Sequence, residues 1–531
     1  MNAVTRLAPV GSAPIADRLF RSLAGNSDRT VSPAQLGAVL ADCGLQRGDP
    51  RLARTFANLD SRGPSASLGA QDFAKLLPAE ELALVERALA GQLVLPDFGD
   101  FRLRLEAIFD SCQLDAGGEV ASYIPQLARI AADKFAMGVC STDGQRFSRG
   151  DDSDRFCVQS TCKPMLYALA HGLHGSAGVH RHVGREPSGR SFNELTLNPA
   201  GLPHNPMINA GAIMCASLIK PEEPLADRFD FMVGKWRDMS GGVAPDFDNA
   251  VFLSEKATAD RNFALAYFMR ENGAFPADTD LMATLDFYFQ CCSLSMDVRQ
   301  MAVVAATLAN GGICPLTNER VLGTDTVRDC LSLMYSCGMY DFSGEFAFTV
   351  GIPAKSGVSG ALILVVPGVC GIALWSPRLD RCGNSVRGGR FAADLARSFA
   401  FHSYAGLVGD AQLANPVRRA TALQEDISGQ ACAAAATGDI GELRRFVALG
   451  ADVSRPDYDG RTPMHLAASE GCESALEFLL SSGCEPMPRD RWGNTPLDDA
   501  RREGREGIIA LLSELPKGAN PPKEVARNKR R

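Results

Sequence analysis

The sequence predicts a multidomain α+β protein: a helical N-terminal segment, a central domain of helices packed against a mostly antiparallel sheet, and a helical repeat at the C-terminal end. Three observations predict it. A chain of 531 residues exceeds the typical domain of about 150 residues several-fold. Its most apolar stretch, 361–375, is broken by Pro367-Gly368 and Gly371, and reads as two buried strands and a turn among segments of helical period. The Thr462-Pro463 segment returns 33 residues later at Thr495-Pro496.

Composition excludes several classes. Lys and Arg total 54 against 62 Asp and Glu, for a net charge of −8 and a pI near 5.5. A protein built around nucleic acid needs a basic face for the phosphates, so no nucleic-acid partner is expected. Hydrophobic content of 46% with 22% charged residues is ordinary for a globular chain. No apolar run reaches the roughly 20 uninterrupted residues of a membrane span, so no membrane partner is expected either. The sixteen cysteines contain no C-x-x-C pair, as expected of reduced core thiols rather than a disulfide or zinc framework. The first residues, MNAVTRLAPVGSAP, lack a secretory apolar block. The expected location is cytoplasmic, with a mitochondrial one as the alternative for a eukaryotic source, because Arg and Ala at this end are compatible with organelle targeting.

Taken in order, residues 1–95 are expected to be helical. Asp17 to Leu23 is amphipathic, and Ser32-Pro33-Ala34-Gln35 has the form of a capping box with Pro at the first helical position. Asp60-Ser61-Arg62-Gly63-Pro64 resembles an EF-hand calcium loop between two helices, but Arg62 and Pro64 stand where oxygen ligands are needed, which predicts a loop without calcium ligands. Residues 96–415 form the α+β domain. At 425–515 the segments DGRTPMHLAA and WGNTPLDDA match the ankyrin period and its turn-and-helix signature, with a degenerate third unit at Ala434-Ala435. Three units are about the minimum for stable stacking. The last stretch, 516–531, carries six basic residues against one Glu and reads as a disordered tail.

Chemistry concentrates in the central domain. Of ten lysines, two follow a Ser by three residues, Lys163 and Lys220; that spacing puts both side chains on one helix face. Ser217 and Lys220 run into Pro221, where a cation simply suits a helix C-terminus. Pro164, lacking an N–H, requires instead that a helix begin beside Ser160. There the positive dipole end favours an oxyanion and a desolvated Lys163 can take the hydroxyl proton. Ser160 therefore reads either as a nucleophile or as an ordinary N-cap serine. Lys355-Ser356-Gly357 resembles the K-T-G strand-edge element of penicillin-recognising serine enzymes. Asn205, Asn209, Glu255, Asn262, Tyr288 and Tyr340 are polar residues within apolar runs, and together they predict a small polar cavity.

These residues carry a resemblance. The blocks GGEVASYIPQLA, FCVQSTCKP, PHNPMINAGAI, DRNFALAYF, LDFYFQ, MAVVAATLANGG, SCGMYDFSGEFAF and PAKSGVSG make residues 101–405 similar to the serine-dependent glutaminases, which share the β-lactamase and transpeptidase fold. The helical N-terminal segment and the ankyrin repeats resemble the layout of the longer animal-type glutaminases. The resemblance implies hydrolysis of L-glutamine to L-glutamate and ammonia through a seryl acyl-enzyme, with Ser160 as nucleophile, Lys163 as its base and Tyr340 as proton carrier. It implies an oxyanion hole of the Ser160 and Val358 amides, and a substrate site lined by Tyr123, Gln159, Asn209, Glu255, Asn262 and Tyr288. No cofactor is implied. A homo-oligomer, dimer or tetramer, and phosphate activation are implied, and the ankyrin repeats offer a surface for a protein partner.

Two other readings compete: an ankyrin adaptor with an inactive central domain, and an acyl-enzyme acting on β-lactams or peptides. Glu255 and the asparagines disfavour the second, since they fit a free amino-acid head group. His171, His174, His180 and His182 crowd within twelve residues, but no carboxylate is spaced with them and no metal site is expected.

Overall fold

The broken apolar run forms two antiparallel strands, Ala361–Val366 and Cys370–Trp375, both buried along their whole length. They are the core of a five-stranded antiparallel sheet in the order Arg146–Gly150, Ala136–Ser141, Cys370–Trp375, Ala361–Val366, Ala354–Ser356. Strands buried on both faces read as continuous hydrophobic runs. The computed structural model describes residues 15–24, 30–189, 194–408, 413–417, 420–448 and 452–514, so the expected basic tail lies outside the described residues.

The helix Val298–Ala309 lies against this sheet and is buried on every side but one position, as a helix apolar all round must be. Its backbone rests directly on two strand glycines. A Cβ on Gly138 would stand 2.3 Å from the Val298 carbonyl oxygen, and one on Gly371 would stand 2.2 Å from the Ala306 nitrogen. Glycine in these strands is a requirement of close approach.

The N-terminal helices and the central domain fall in one compact unit, the repeats in another. In the first, helices Ile15–Ala24, Pro33–Asp42, Ala53–Arg62, Ala70–Ala74 and Ala79–Leu89 bury their own apolar core around Leu36, Leu40, Phe73 and Val85. The capping box closes as expected: the Gln35 amide donates to Ser32 Oγ at 3.2 Å and the Ser32 amide to Gln35 Oε1 at 2.7 Å. Two loops pair through an antiparallel bridge between Val31 and Leu68. Polar contacts tie this layer to the hairpin of the sheet: Gln145 Nε2 donates to the Cys43 and Leu95 carbonyls, both at 3.0 Å.

In the second unit, three helix pairs follow one another: Ala420–Thr437 with Ile440–Ala448, Pro463–Glu470 with Glu473–Ser481, and Pro496–Arg502 with Glu506–Ser513. Their core is the repeated small-and-large set of Ala434, Ala435, Leu443, Ala467, Ala468, Leu476, Ala500 and Ile508. None of these units buries its apolar face alone. Among the described residues no helix is long and apolar enough to cross a membrane.

Candidate active site

Pro164 occupies the first turn of the helix Lys163–Val179, and a 3₁₀ turn, Gln159–Cys162, leads into it. Ser160 thus sits in a tight turn one step before the helix proper, and Lys163 is the helix's first residue. The two side chains meet: Lys163 Nζ donates to Ser160 Oγ at 2.5 Å. Lys163 is 0% exposed, and burial pushes its amine below its usual range, opposed in part by the neighbouring Cys292 and Cys162 thiols and by Glu255. A buried amine that favours its neutral form can accept the hydroxyl proton along this contact.

Tyr340 approaches the same hydroxyl from another element. It opens the turn Tyr340–Phe342, and its phenol is hydrogen-bonded with Ser160 while also donating to the Ser356 carbonyl at 3.2 Å. Burial raises the phenol above its ordinary value, and the Ser160 contact works against that rise. Both flanking positions are strained, since Gln159 has φ 46° and Tyr340 φ 54°. Non-glycine residues reach this left-handed region only where surrounding structure over-determines them.

The strand Ala354–Ser356 closes the third side. A Cβ on Gly357 would lie 3.1 Å from the Val158 carbonyl oxygen and 3.5 Å from the Thr161 nitrogen, so the chain entering Val358 runs against the Ser160 turn. The Ser160 amide lies in the first turn of its 3₁₀ segment, where backbone donors lack intrahelical acceptors. The Val358 amide makes no backbone hydrogen bond among the described residues.

The remaining polar residues divide into two groups. Tyr123 donates to Glu255 Oε1 at 2.5 Å, and Gln159 Nε2 donates to the same oxygen at 2.9 Å. Burial raises the Glu255 carboxyl, and these two donors hold it down. The Tyr123 ring is half exposed while its hydroxyl turns inward to the carboxylate. In the second group, Asn209 at the start of the helix Asn209–Ser217 donates to Asn262 Oδ1 at 3.2 Å, and Tyr288 donates to Asn209 Oδ1 at 3.4 Å. The two groups draw on five separate elements and the bend at Tyr123. Asn205 is not among them: its amide donates to the Glu186 carbonyl and its oxygen accepts from the Met207 amide, both at 2.9 Å, so it braces a loop.

The sequence marks Lys355 only as part of a strand-edge motif. Its amine is fully buried, donates to the Ser356 carbonyl at 2.7 Å and to the Gly338 carbonyl at 3.1 Å, and lies 4.4 Å from the Tyr340 ring centre. The four clustered histidines take separate partners: His171 meets Thr326 and Asp329, His174 the Leu218 carbonyl, His180 Tyr167, and His182 the Ala274 carbonyl. No three potential metal ligands converge among the described residues.

With this geometry in hand, comparison with known proteins is direct. Residues 118–404 match the glutaminase family, residues 431–524 ankyrin repeats in three copies, and residues 15–96 an EF-hand domain. The chain belongs to the glutaminase family. It is 42% identical over 505 residues to the mitochondrial liver isoform of glutaminase from Mus musculus, covering 94% of this chain and 84% of that one. It is 42% identical over 288 residues to a glutaminase from a Nostoc strain, covering 54% of this chain and 85% of the other. Solved structures of the ybaS glutaminase and of Mglu in its glutamate form each superpose with a TM-score of 0.53 over 56% of this chain, at 36% and 38% identity, covering 96% and 68% of those chains. This glutaminase is therefore an enzyme carrying an EF-hand domain and an ankyrin module around an α+β catalytic domain. Ankyrin repeats are a fold that suggests protein interaction, and the mitochondrial mouse and rat relatives match the alternative location.

Proposed function

We propose that this glutaminase hydrolyses L-glutamine by acyl transfer through Ser160. Lys163 takes the hydroxyl proton, and Ser160 Oγ attacks the side-chain amide carbon. The Ser160 and Val358 amides receive the oxyanion, an arrangement whose single donors are typically worth about 2.7–4 kcal/mol. Tyr340, in contact with the same hydroxyl, passes its proton to the departing ammonia and is reprotonated by the proton held on Lys163. Water then hydrolyses the glutamyl ester and returns the proton to Ser160. Glu255 serves the α-ammonium of the substrate, with Tyr123 and Gln159 orienting it, while Asn209, Asn262 and Tyr288 serve the α-carboxylate. No cofactor takes part. The observation that carries this reading is the 2.5 Å contact between Lys163 Nζ and Ser160 Oγ in a buried site.

A coupled ammonia and glutamate assay tests it. Ser160→Ala is expected to abolish ammonia release from glutamine with an unchanged circular dichroism spectrum; undiminished release removes Ser160 from the mechanism. The division at 1–95, 96–415, 425–515 and 516–531 is the corresponding functional partition. The resemblance further supports a dimer or tetramer responsive to phosphate, read by size measurement with and without that anion. All sixteen cysteines are unpaired, which suits a reducing compartment, cytoplasmic or mitochondrial.

A further inference from the structure

The turn that carries Ser160 ends on a thiol that acyl transfer does not use. Cys162 closes the 3₁₀ segment Gln159–Cys162, lies between Ser160 and Lys163 in the chain, and is 0% exposed. Facing it is Cys292, the last residue of the helix Leu281–Cys292, which is 4% exposed. The two sulfurs stand 3.9 Å apart although 130 positions separate them in the chain. Closing that gap to the roughly 2.05 Å of an S–S bond asks each sulfur to move about 1 Å.

Both thiols belong to the surroundings of the Ser160 centre. Cys292 is hydrogen-bonded with Tyr288, and Lys163 interacts electrostatically with both sulfurs. The contact with Cys162, together with burial, holds the Cys292 thiol protonated, while Lys163 works in the other direction. Cys292 is thus the donor of the pair, and Cys162 is the sulfur left to attack, beside an amine that burial keeps toward its neutral form. Glutamine must reach Ser160, so an oxidant as small as hydrogen peroxide has the same route.

We propose that Cys162 and Cys292 form a reversible oxidation site, at which a peroxide converts the pair into an intrachain disulfide and switches off the Ser160 centre. Lys163 takes the Cys162 proton, the thiolate attacks one peroxide oxygen, an S–O bond forms and the O–O bond breaks, and the departing hydroxide recovers the proton and leaves as water. The Cys292 sulfur then attacks the sulfenic sulfur; the S–S bond forms, the S–O bond breaks, and the second hydroxide leaves as water with the Cys292 proton. Two thiols are oxidised and one peroxide is reduced to two waters. A thiol reductant reverses the bond by exchange. Loss of activity follows from position: a shift of Cys162 pulls on the residues either side of it, and the 2.5 Å contact between Lys163 Nζ and Ser160 Oγ tolerates little displacement. That consequence rests on the acyl-enzyme reading above; the disulfide itself does not.

The test treats the full chain with hydrogen peroxide, caps remaining thiols with iodoacetamide and digests it without reductant. Tandem mass spectrometry is expected to find a link between Cys162 and Cys292, rather than through the neighbouring Cys157 or Cys291. Glutamine hydrolysis is expected to fall by at least about tenfold, and dithiothreitol to restore both thiols and rate. Cys162→Ala, compared with its own untreated rate, is expected to keep that rate through the same treatment; Cys292→Ser carries the comparison if the first variant folds poorly. Recovery of both thiols in capped form after peroxide overturns the proposal, as does an inactivation that persists in these variants or resists dithiothreitol. A link formed with undiminished hydrolysis overturns the switch. Ser160→Ala is expected to form the same link, so failure of the acyl-enzyme reading is distinguished from failure of the oxidation site.

Discussion

Two fully buried titratable residues, Lys163 in the central domain and His465 in the repeats, follow opposite rules. His465 spends both ring nitrogens: Nδ1 accepts from the Thr462 amide at 3.1 Å and meets its hydroxyl at 3.0 Å, and Nε2 donates to the Asn494 carbonyl at 3.2 Å. Those partners lie three residues back and one repeat onward, so the ring is a strut between neighbouring repeats. Lys163 has a reactive hydroxyl as its side-chain partner, and burial holds its amine below the usual range. A buried polar group with its hydrogen-bonding capacity committed to backbone supports structure. One kept short of partners beside a nucleophile stores a driving force for proton transfer.

The contrast breaks most visibly on substitution of the lysine. Lys163→Met is expected to cut kcat by at least about 10³-fold with little change in thermal midpoint, because a buried amine is replaced by an apolar side chain of similar length. Wild-type kcat/KM is expected to rise with pH through the depressed Lys163 range, since only the free amine accepts a proton; a profile falling over that range contradicts the assignment. The same depression makes stability fall as pH drops through the folded-state value, because the unfolded chain then binds the extra proton more readily.

A smaller effect sharpens the role of the carboxylate. Glu255→Gln keeps the shape of the site and loses the charge, so KM for glutamine is expected to rise about 10- to 100-fold with a lesser change in kcat. Initial-rate measurements separate the two. The smallest catalytic effect belongs to the strut: His465→Ala is expected to leave kcat unchanged and to cost the repeat unit about 1–3 kcal/mol by orphaning buried backbone groups, read as a lowered unfolding midpoint. A loss of activity without loss of stability would place His465 in the chemistry instead.

Legibility in the sequence tracked locality. The Ser160 and Lys163 pair was visible because a three-residue spacing becomes a contact on any helical turn, and Pro164 marked where that turn begins. The capping box at Ser32 was equally local. Asn205 shows the limit: it sits four residues from Asn209 in an apolar run, yet its hydrogen bonds tie down a loop. The Lys355 amine under the Tyr340 ring had only a weak signal, because their meeting depends on a strand and a 3₁₀ turn brought together by packing.

Sequence alone determined the class of domains, their order, the repeat period and the Ser160 and Lys163 pair, since each depends on composition or on spacings shorter than two helical turns. Tertiary structure decided which polar residues converge: Tyr123 with Glu255 across 132 positions, Gln159 with Glu255 across 96, and Asn209 with Asn262 across 53. It also decided that the Lys163 amine is buried and that Cys162 meets Cys292. The physical reason is that desolvation and long-range hydrogen bonds belong to the packed chain, where burial sets both the reactivity of an amine and the cost of leaving it unpaired.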